Sequence, residues 1–172
     1  MWTTTLMVCE GVAVGGRGGL MDIDEGEGRE LNAIAGVLEA LALRLSPAFD
    51  ATAIGELRIA CQRFRWSGDD PSSLAVADHD FHSRLVEHCE DEQVLATLGP
   101  VRDALYRWQT RLEPDPAEVA RAAREHDAIV DALSGRDHLT ASQLVREHVA
   151  GGLPVLLGAL DSEPGARHAG AP

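Results

Sequence analysis

Basic residues are scarce in this chain of 172 residues: Lys and Arg total 15 against 28 Asp and Glu, for a formal net charge of -13. Neutralising phosphate supplies most non-specific nucleic-acid affinity, so a chain with this balance is expected to bind DNA poorly on its own. Cysteine is scarce too. Cys9, Cys61 and Cys89 are odd in number and widely separated, which excludes a CxxC metal pair and a secreted disulfide framework and points to a reducing cytoplasm. No apolar run is long enough to span a bilayer. The short stretch from Leu6 to Val14 carries Glu10 and lacks a basic flank, so neither a membrane span nor a targeting signal is expected. The glycine cluster at 15–19 has no lysine and no hydroxyl, which excludes a Walker-type phosphate loop. Aromatic residues make up 4% of the chain and β-branched runs are few, which argues against a sheet.

What remains is 45% hydrophobic and 25% charged, enough for one sizeable core. Residues 1–29 are crowded with glycine and are expected to be irregular. From Glu30 to about residue 160, apolar residues recur at helical spacing, and a small-residue tail follows over 161–172. The first helix is expected over 30–46, with Leu31, Ile34, Leu38, Leu41 and Leu45 as its buried stripe and Pro47 as its stop. Asp50, Asp70, Asp91 and Asp115 are placed to cap the next four helices, with Pro71 and Pro116 in first turns. The sixth helix starts near Asp137 and is expected to break at Gly151, Gly152 and Pro154. The pattern predicts an all-α fold, an antiparallel bundle of about six helices with an interior metal or ligand cavity.

Four polar residues fall where the core should be. Asp78 and His82 lie on the face of the third helix that carries Leu74, Phe81 and Leu85; His126 lies between Val119 and Ile129; His148 follows Leu144 by four residues. A buried carboxylate without a partner is costly, so Asp78 should pair or coordinate a cation. A single inward histidine is commonly a satisfied core residue. Four metal-competent side chains from three helices favour a shared divalent ion instead. His79, His88, His138 and His168 are assigned to the surface, and no inward Glu is visible beside the four candidates. Arg102 flanks the stripe of the fourth helix, where it can either hold a carboxylate bidentately or snorkel at the surface.

The run Asp78-His79-Asp80-Phe81-His82-Ser83-Arg84-Leu85 resembles the D-x-x-F-H-x-x-L signature of the FadR C-terminal (FCD) domain of GntR-type transcription regulators. Glu125-His126-Asp127-Ala128-Ile129, then Asp137 and His148, is similar to the family's E-H-x-x-I block and its last histidine, and Glu30-Leu31, Leu38-Glu39 and Arg44-Leu45 are similar to its opening helix. The resemblance implies a helical bundle in which Asp78, His82, His126 and His148 hold one divalent metal, zinc ahead of nickel or manganese, beside a cavity that senses small carboxylates. Arg102 is the candidate ligand-binding cation. It also implies a homodimer that reaches DNA only through a winged-helix module. Residues 10–19 resemble the wing that ends such a module. Two positions depart from the family. Ala35 stands where many members carry a carboxylate-clamping arginine, and Asp91 stands for an asparagine. The sensing reading is accompanied by two others: a metal-dependent enzyme, disfavoured because no poised general base is seen, and a dimerisation domain that has lost sensing, which Ala35 would suit.

Overall fold

The computed structural model describes residues 25–68, 70–110 and 114–161, with side chains described from 27 to 152 within those limits. The described residues form six helices and no strand: α1 (Glu25–Leu45), α2 (Ala51–Trp66), α3 (Pro71–Val86), α4 (Glu92–Gln109), α5 (Pro116–Ser134) and α6 (His138–Asp161). The candidate wing and the residues beyond 161 lie outside the described residues. Aspartates set the helix starts. Asp50 accepts from Ala53 N at 2.8 Å, Asp70 from Ser73 N at 2.8 Å, Asp91 from Gln93 N at 2.9 Å and Asp115 from Ala117 N at 2.8 Å. Each such cap contributes about 1 kcal/mol by satisfying an amide that the helix leaves open.

α1 lies chiefly against α6 and α4, α2 against α3 and α5, and α5 against α6. α1 and α6 run antiparallel: Asn32 Nδ2 donates to Val149 O at 2.7 Å near one end, and His138 Nδ1 meets Leu43 O at 3.0 Å near the other. Phe81, Leu43, Leu57, Leu85, Leu98, Leu105, Ile129 and Leu133 are the largest apolar side chains fully enclosed by this arrangement. Among the described residues, no helix is long and apolar enough to cross a membrane.

Three expectations are corrected. α1 begins at Glu25, within the stretch expected to be irregular, and Gly28 is there because Trp108 packs on it; a Cβ at Gly28 would stand 2.5 Å from the indole ring. The second correction is the face of α1. Ile34, Leu41 and Leu45 are 44%, 40% and 41% exposed, whereas Asn32, Ala35, Glu39, Ala42 and Leu43 are buried. Small residues allow the close approach: at Gly36 even a Cβ would already touch Val149 at 3.4 Å. Leu31 and Leu38 of the expected stripe are half-buried against the core, so periodicity weighted by large apolar residues is right at these two positions and wrong at Ile34, Leu41 and Leu45. Third, α6 is continuous through Gly151, Gly152 and Pro154. A proline removes one intrahelical hydrogen bond and leaves the rest, as Pro100 within α4 also illustrates.

Leu43→Ala, at a fully buried position, is expected to cost about 2–5 kcal/mol in urea unfolding. Ile59→Ala, at a position 50% exposed, should cost less than about 1 kcal/mol. Equal losses would contradict the packing described.

Candidate metal centre

The helical repeat of α3 puts Asp78 and His82 one turn apart on the buried face, α5 contributes His126, and α6 contributes His148. Asp78 Oδ1 and the three histidine ring nitrogens converge so that all four candidate donor atoms lie within 4.8 Å of one another. His148 Nε2 stands 3.1 Å from His126 Nε2 and 3.2 Å from His82 Nε2. Asp78 Oδ1 stands 3.4 Å from His126 Nε2 and 3.7 Å from His82 Nε2. Donors about 2.1 Å from one ion and separated by 90–110° are about 3.0–3.4 Å apart. The spacing fits a divalent ion.

Protonation strengthens that fit. His82 Nδ1 lies 2.7 Å from Glu39 Oε2, and His148 Nδ1 lies 2.8 Å from Glu125 Oε2. An imidazole nitrogen facing a carboxylate carries the proton, so Nε2 of both rings is left with a lone pair. Two lone pairs 3.2 Å apart repel. A cation between them converts the repulsion into coordination. His126 is packed by Phe81, stacked at 3.9 Å, and by the edge of Phe64 at 4.9 Å, which hold its ring with Nε2 toward the cluster.

Carboxylates and arginines surround the donors. Asp78 Oδ2 accepts from Gln109 Nε2 at 3.2 Å and pairs with Arg102 Nη2 at 3.6 Å, leaving Oδ1 toward the histidines. Arg102 Nη1 also pairs with Glu39 Oε1 at 3.2 Å. Arg121 holds Glu125 through Nη1 at 2.6 Å and Glu118 through Nε at 2.8 Å. Burial by itself would raise Asp78, but His82, the adjoining His126 ring and Arg102 together hold it well below the usual carboxylate range. Glu39 is likewise kept low by His82 and Arg102 despite burial. Burial pushes His126 down to about 3, helped by the neighbouring His148 and opposed by Asp78. His82 is lowered by burial and by Arg102, against the pull of Glu39. These groups are set as anionic carboxylates and neutral imidazoles, the forms that bind metal.

The structure brings all four candidate donors together and places Arg102 beside them, buried and not at the surface. A cavity of about 160 Å³ adjoins them; its polar lining includes Asp78, His82, Arg102 and His148 near the donors and Glu118 and Arg121 farther out, and its apolar lining includes Phe64, Leu74, Leu105 and Val119. Two expectations are corrected. Glu39 is an inward glutamate next to the cluster; it was missed because the stripe expected on α1 pointed the other way, although the seven-residue spacing of Asn32 and Glu39 was a usable signal. His79, His88 and His138 are also not simply surface residues. His79 packs on Tyr106 at 5.0 Å, His88 on Phe49 at 5.2 Å, and His138 bonds to the end of α1, because partial burial at helix joints suits an aromatic ring with a polar edge. His168 lies outside the described residues. Cys61 and Cys89 are buried thiols, and burial pushes Cys61 up to about 11.

The FCD domain family matches residues 30–151. The crystal structure of a transcriptional regulator, a GntR family member, from Pseudomonas syringae pv. tomato str. DC3000 is similar in fold, with a TM-score of 0.69 at 14% sequence identity over 80% of this chain. The chain spans 58% of that regulator's length. No curated protein matches the chain.

In metal-free protein, stability should fall with acid. Unfolded histidine titrates near 6.5 while folded His126 resists to about 3, so between those values the unfolded state binds a proton that the folded state refuses. The loss begins below about pH 6.5 and approaches about 1.4 kcal/mol per pH unit for each such histidine. Asp78 and Glu39, held low, act with the same sign only nearer pH 4. Urea titrations of apo protein between pH 7 and 5 check this, and His126→Leu should flatten the slope by about one proton. A slope identical in wild type and variant would contradict the assignment.

Proposed function

The chain belongs to the FCD domain family, the regulatory and non-enzymatic domain of GntR-type regulators, and from that premise we propose that it is a metal-dependent sensor of small carboxylates. Asp78, His82, His126 and His148 hold one divalent ion, zinc ahead of nickel or manganese. The observation that carries the reading is the meeting of two Nε2 lone pairs 3.2 Å apart, each fixed by a carboxylate on Nδ1. When bound, the ion supplies a Lewis-acidic anchor for an anionic donor.

The charge balance explains the effector class. Asp78 and Glu39 are two buried negative charges and Arg102 one buried positive charge, so a divalent ion leaves the buried part of the site with one excess positive charge, while Glu118, Glu125 and Arg121 stand at its half-buried rim. A carboxylate matches that excess. Arg102 lines the cavity, and its Nε is buried with no hydrogen-bond partner, a donor available to an anion. The cavity of about 160 Å³ restricts the effector to a small molecule. Ala35, buried on the face of α1 that also carries Asn32 and Glu39, offers only a methyl group there, and Arg121, the other arginine lining the cavity, is engaged by Glu118 and Glu125, so Arg102 is the favoured anion partner. Glu39 does not convert the site into a catalyst. It lies behind His82, on the Nδ1 side, and Arg102 holds it, so it is not poised as a base.

In the complete regulatory system this domain works as a cytoplasmic homodimer, and DNA contact falls to a winged-helix module, since a net charge of -13 repels phosphate.

Elemental analysis of purified protein should give one divalent ion per chain, and a thermal-shift screen should find small carboxylic acids that stabilise only the metal-loaded form. His82→Ala, His126→Ala or His148→Ala should each lower metal occupancy, whereas His79→Ala and His88→Ala should leave it unchanged. Stabilisation by acids that persists after metal removal would sink the metal-dependent reading. Arg102→Met should weaken carboxylate binding by roughly tenfold or more while the ion stays bound. Undiminished affinity would remove Arg102 from the effector site.

A further inference from the structure

The cavity beside the four donors changes character along its length. Asp78, His82, His148 and Arg102 line its inner end, and Gln109, tied to Asp78 through Nε2, brings an unpartnered Oε1 to the same end. One helical turn away the wall is carbon. On α3, Ala75 and Leu74 lie three and four residues before Asp78, and on α5, Ala122 and Val119 lie four and seven residues before His126; all four line the cavity, with Phe64 of α2 and Leu105 of α4 beside them. Phe64, Leu74, Val119 and Ala122 belong to a small apolar cluster that is separate from the main core containing Leu105, so the cavity lies between two apolar clusters. Carbon that faces a void forfeits the dispersion contacts of a packed side chain, and an apolar body placed there restores them.

The outer rim is charged and mostly acidic. Asp115, Glu118 and Arg121 line the cavity at the start of α5. Arg121 is already engaged by Glu118 at 2.8 Å and by Glu125 at 2.6 Å. Three carboxylates around one guanidinium leave excess negative charge, which repels a second carboxylate arriving at that end.

We propose that the effector is a monocarboxylate with a hydrocarbon body, its carboxylate at the inner end beside Arg102 and its carbon chain between Leu74, Leu105 and Val119. A dicarboxylate of similar length brings its second charge to the acidic rim. A polyhydroxy acid buries hydroxyls against carbon, where they lose water and gain no partner. The inference rests on the carboxylate-sensing reading above and names the class of carboxylate.

Calorimetric titration of the full 172-residue, metal-loaded chain with a graded set of acids tests it. From acetate through propionate and butyrate to pentanoate, Kd should fall roughly fourfold for each added methylene. Glutarate, of the same carbon count as pentanoate but with a second carboxylate, and xylonate, of the same carbon count but with a row of hydroxyls, should each bind at least about tenfold more weakly than pentanoate. Val119→Thr should weaken pentanoate by roughly fivefold and leave acetate affinity, metal content and far-UV circular dichroism unchanged. If none of these acids binds, the carboxylate-sensing reading itself falls. If they bind with an affinity indifferent to chain length, or if glutarate or xylonate binds more tightly than pentanoate, that reading stands and the hydrocarbon body is overturned. Equal losses of acetate and pentanoate in Val119→Thr would overturn the placement of the carbon chain against Val119.

Discussion

A carboxylate behind an imidazole decides which ring nitrogen keeps the proton, and here two carboxylates make that decision from outside the cluster. Glu39 on α1 fixes His82 on α3, and Glu125 on α5 fixes His148 on α6. Each contact joins different helices, so the chemistry of the centre depends on the packing of the bundle. The reverse dependence is as strong. Leaving a buried carboxylate such as Glu39 without its partners costs several kcal/mol, so α1 is held in register by His82 and Arg102 as well as by its small residues against α6.

That register explains why α1 looks inverted. Its inner face is built from Asn32, Ala35, Gly36, Glu39, Ala42 and Leu43, chosen for close approach and for two specific polar contacts, and offers little hydrophobic volume. Ile34, Val37, Leu41 and Leu45 are left on the outside, while Leu31 and Leu38 stay half-buried against the core.

The legible part of the fold was the part governed by local rules. Aspartate caps, the prolines after Asp70 and Asp115 and the 3.6-residue stripes of α3 to α5 placed the helices and turned Asp78, His82 and His126 inward. Those rules failed where tertiary packing overrides hydrophobic weight. They misplaced Ile34, Leu41 and Leu45 of α1, concealed Glu39 and left Arg102 undecided, because whether an arginine beside a stripe is buried depends on a carboxylate from another helix. Glu125, one residue before His126, was visible in the sequence, but its role was not, since α6 supplies the histidine it holds. The partial burial of His79 and His88 depends on Tyr106 and Phe49, which belong to other segments of the chain.

The two faces of α1 also bear on how a sensed ligand could be reported. Glu39 is tied to the cavity through His82 and Arg102, both of which line it, while Val37 and Leu41, each two residues away, stand on the outward stripe. A helix is stiff over two turns, so a shift that moves Glu39 by part of an ångström moves the stripe with it. An effector can use that stiffness only if it binds one position of α1 more tightly than another, and the equilibrium moves by no more than that difference in affinity. Arg102 provides a physical basis for such a difference. Its guanidinium is shared between Glu39 and Asp78, and an anion that competes for it loosens one of those pairs while leaving the histidines in place. On the proposed reading, an entering carboxylate would act on one of the contacts that hold α1, so recognition and readout would meet in the same arginine.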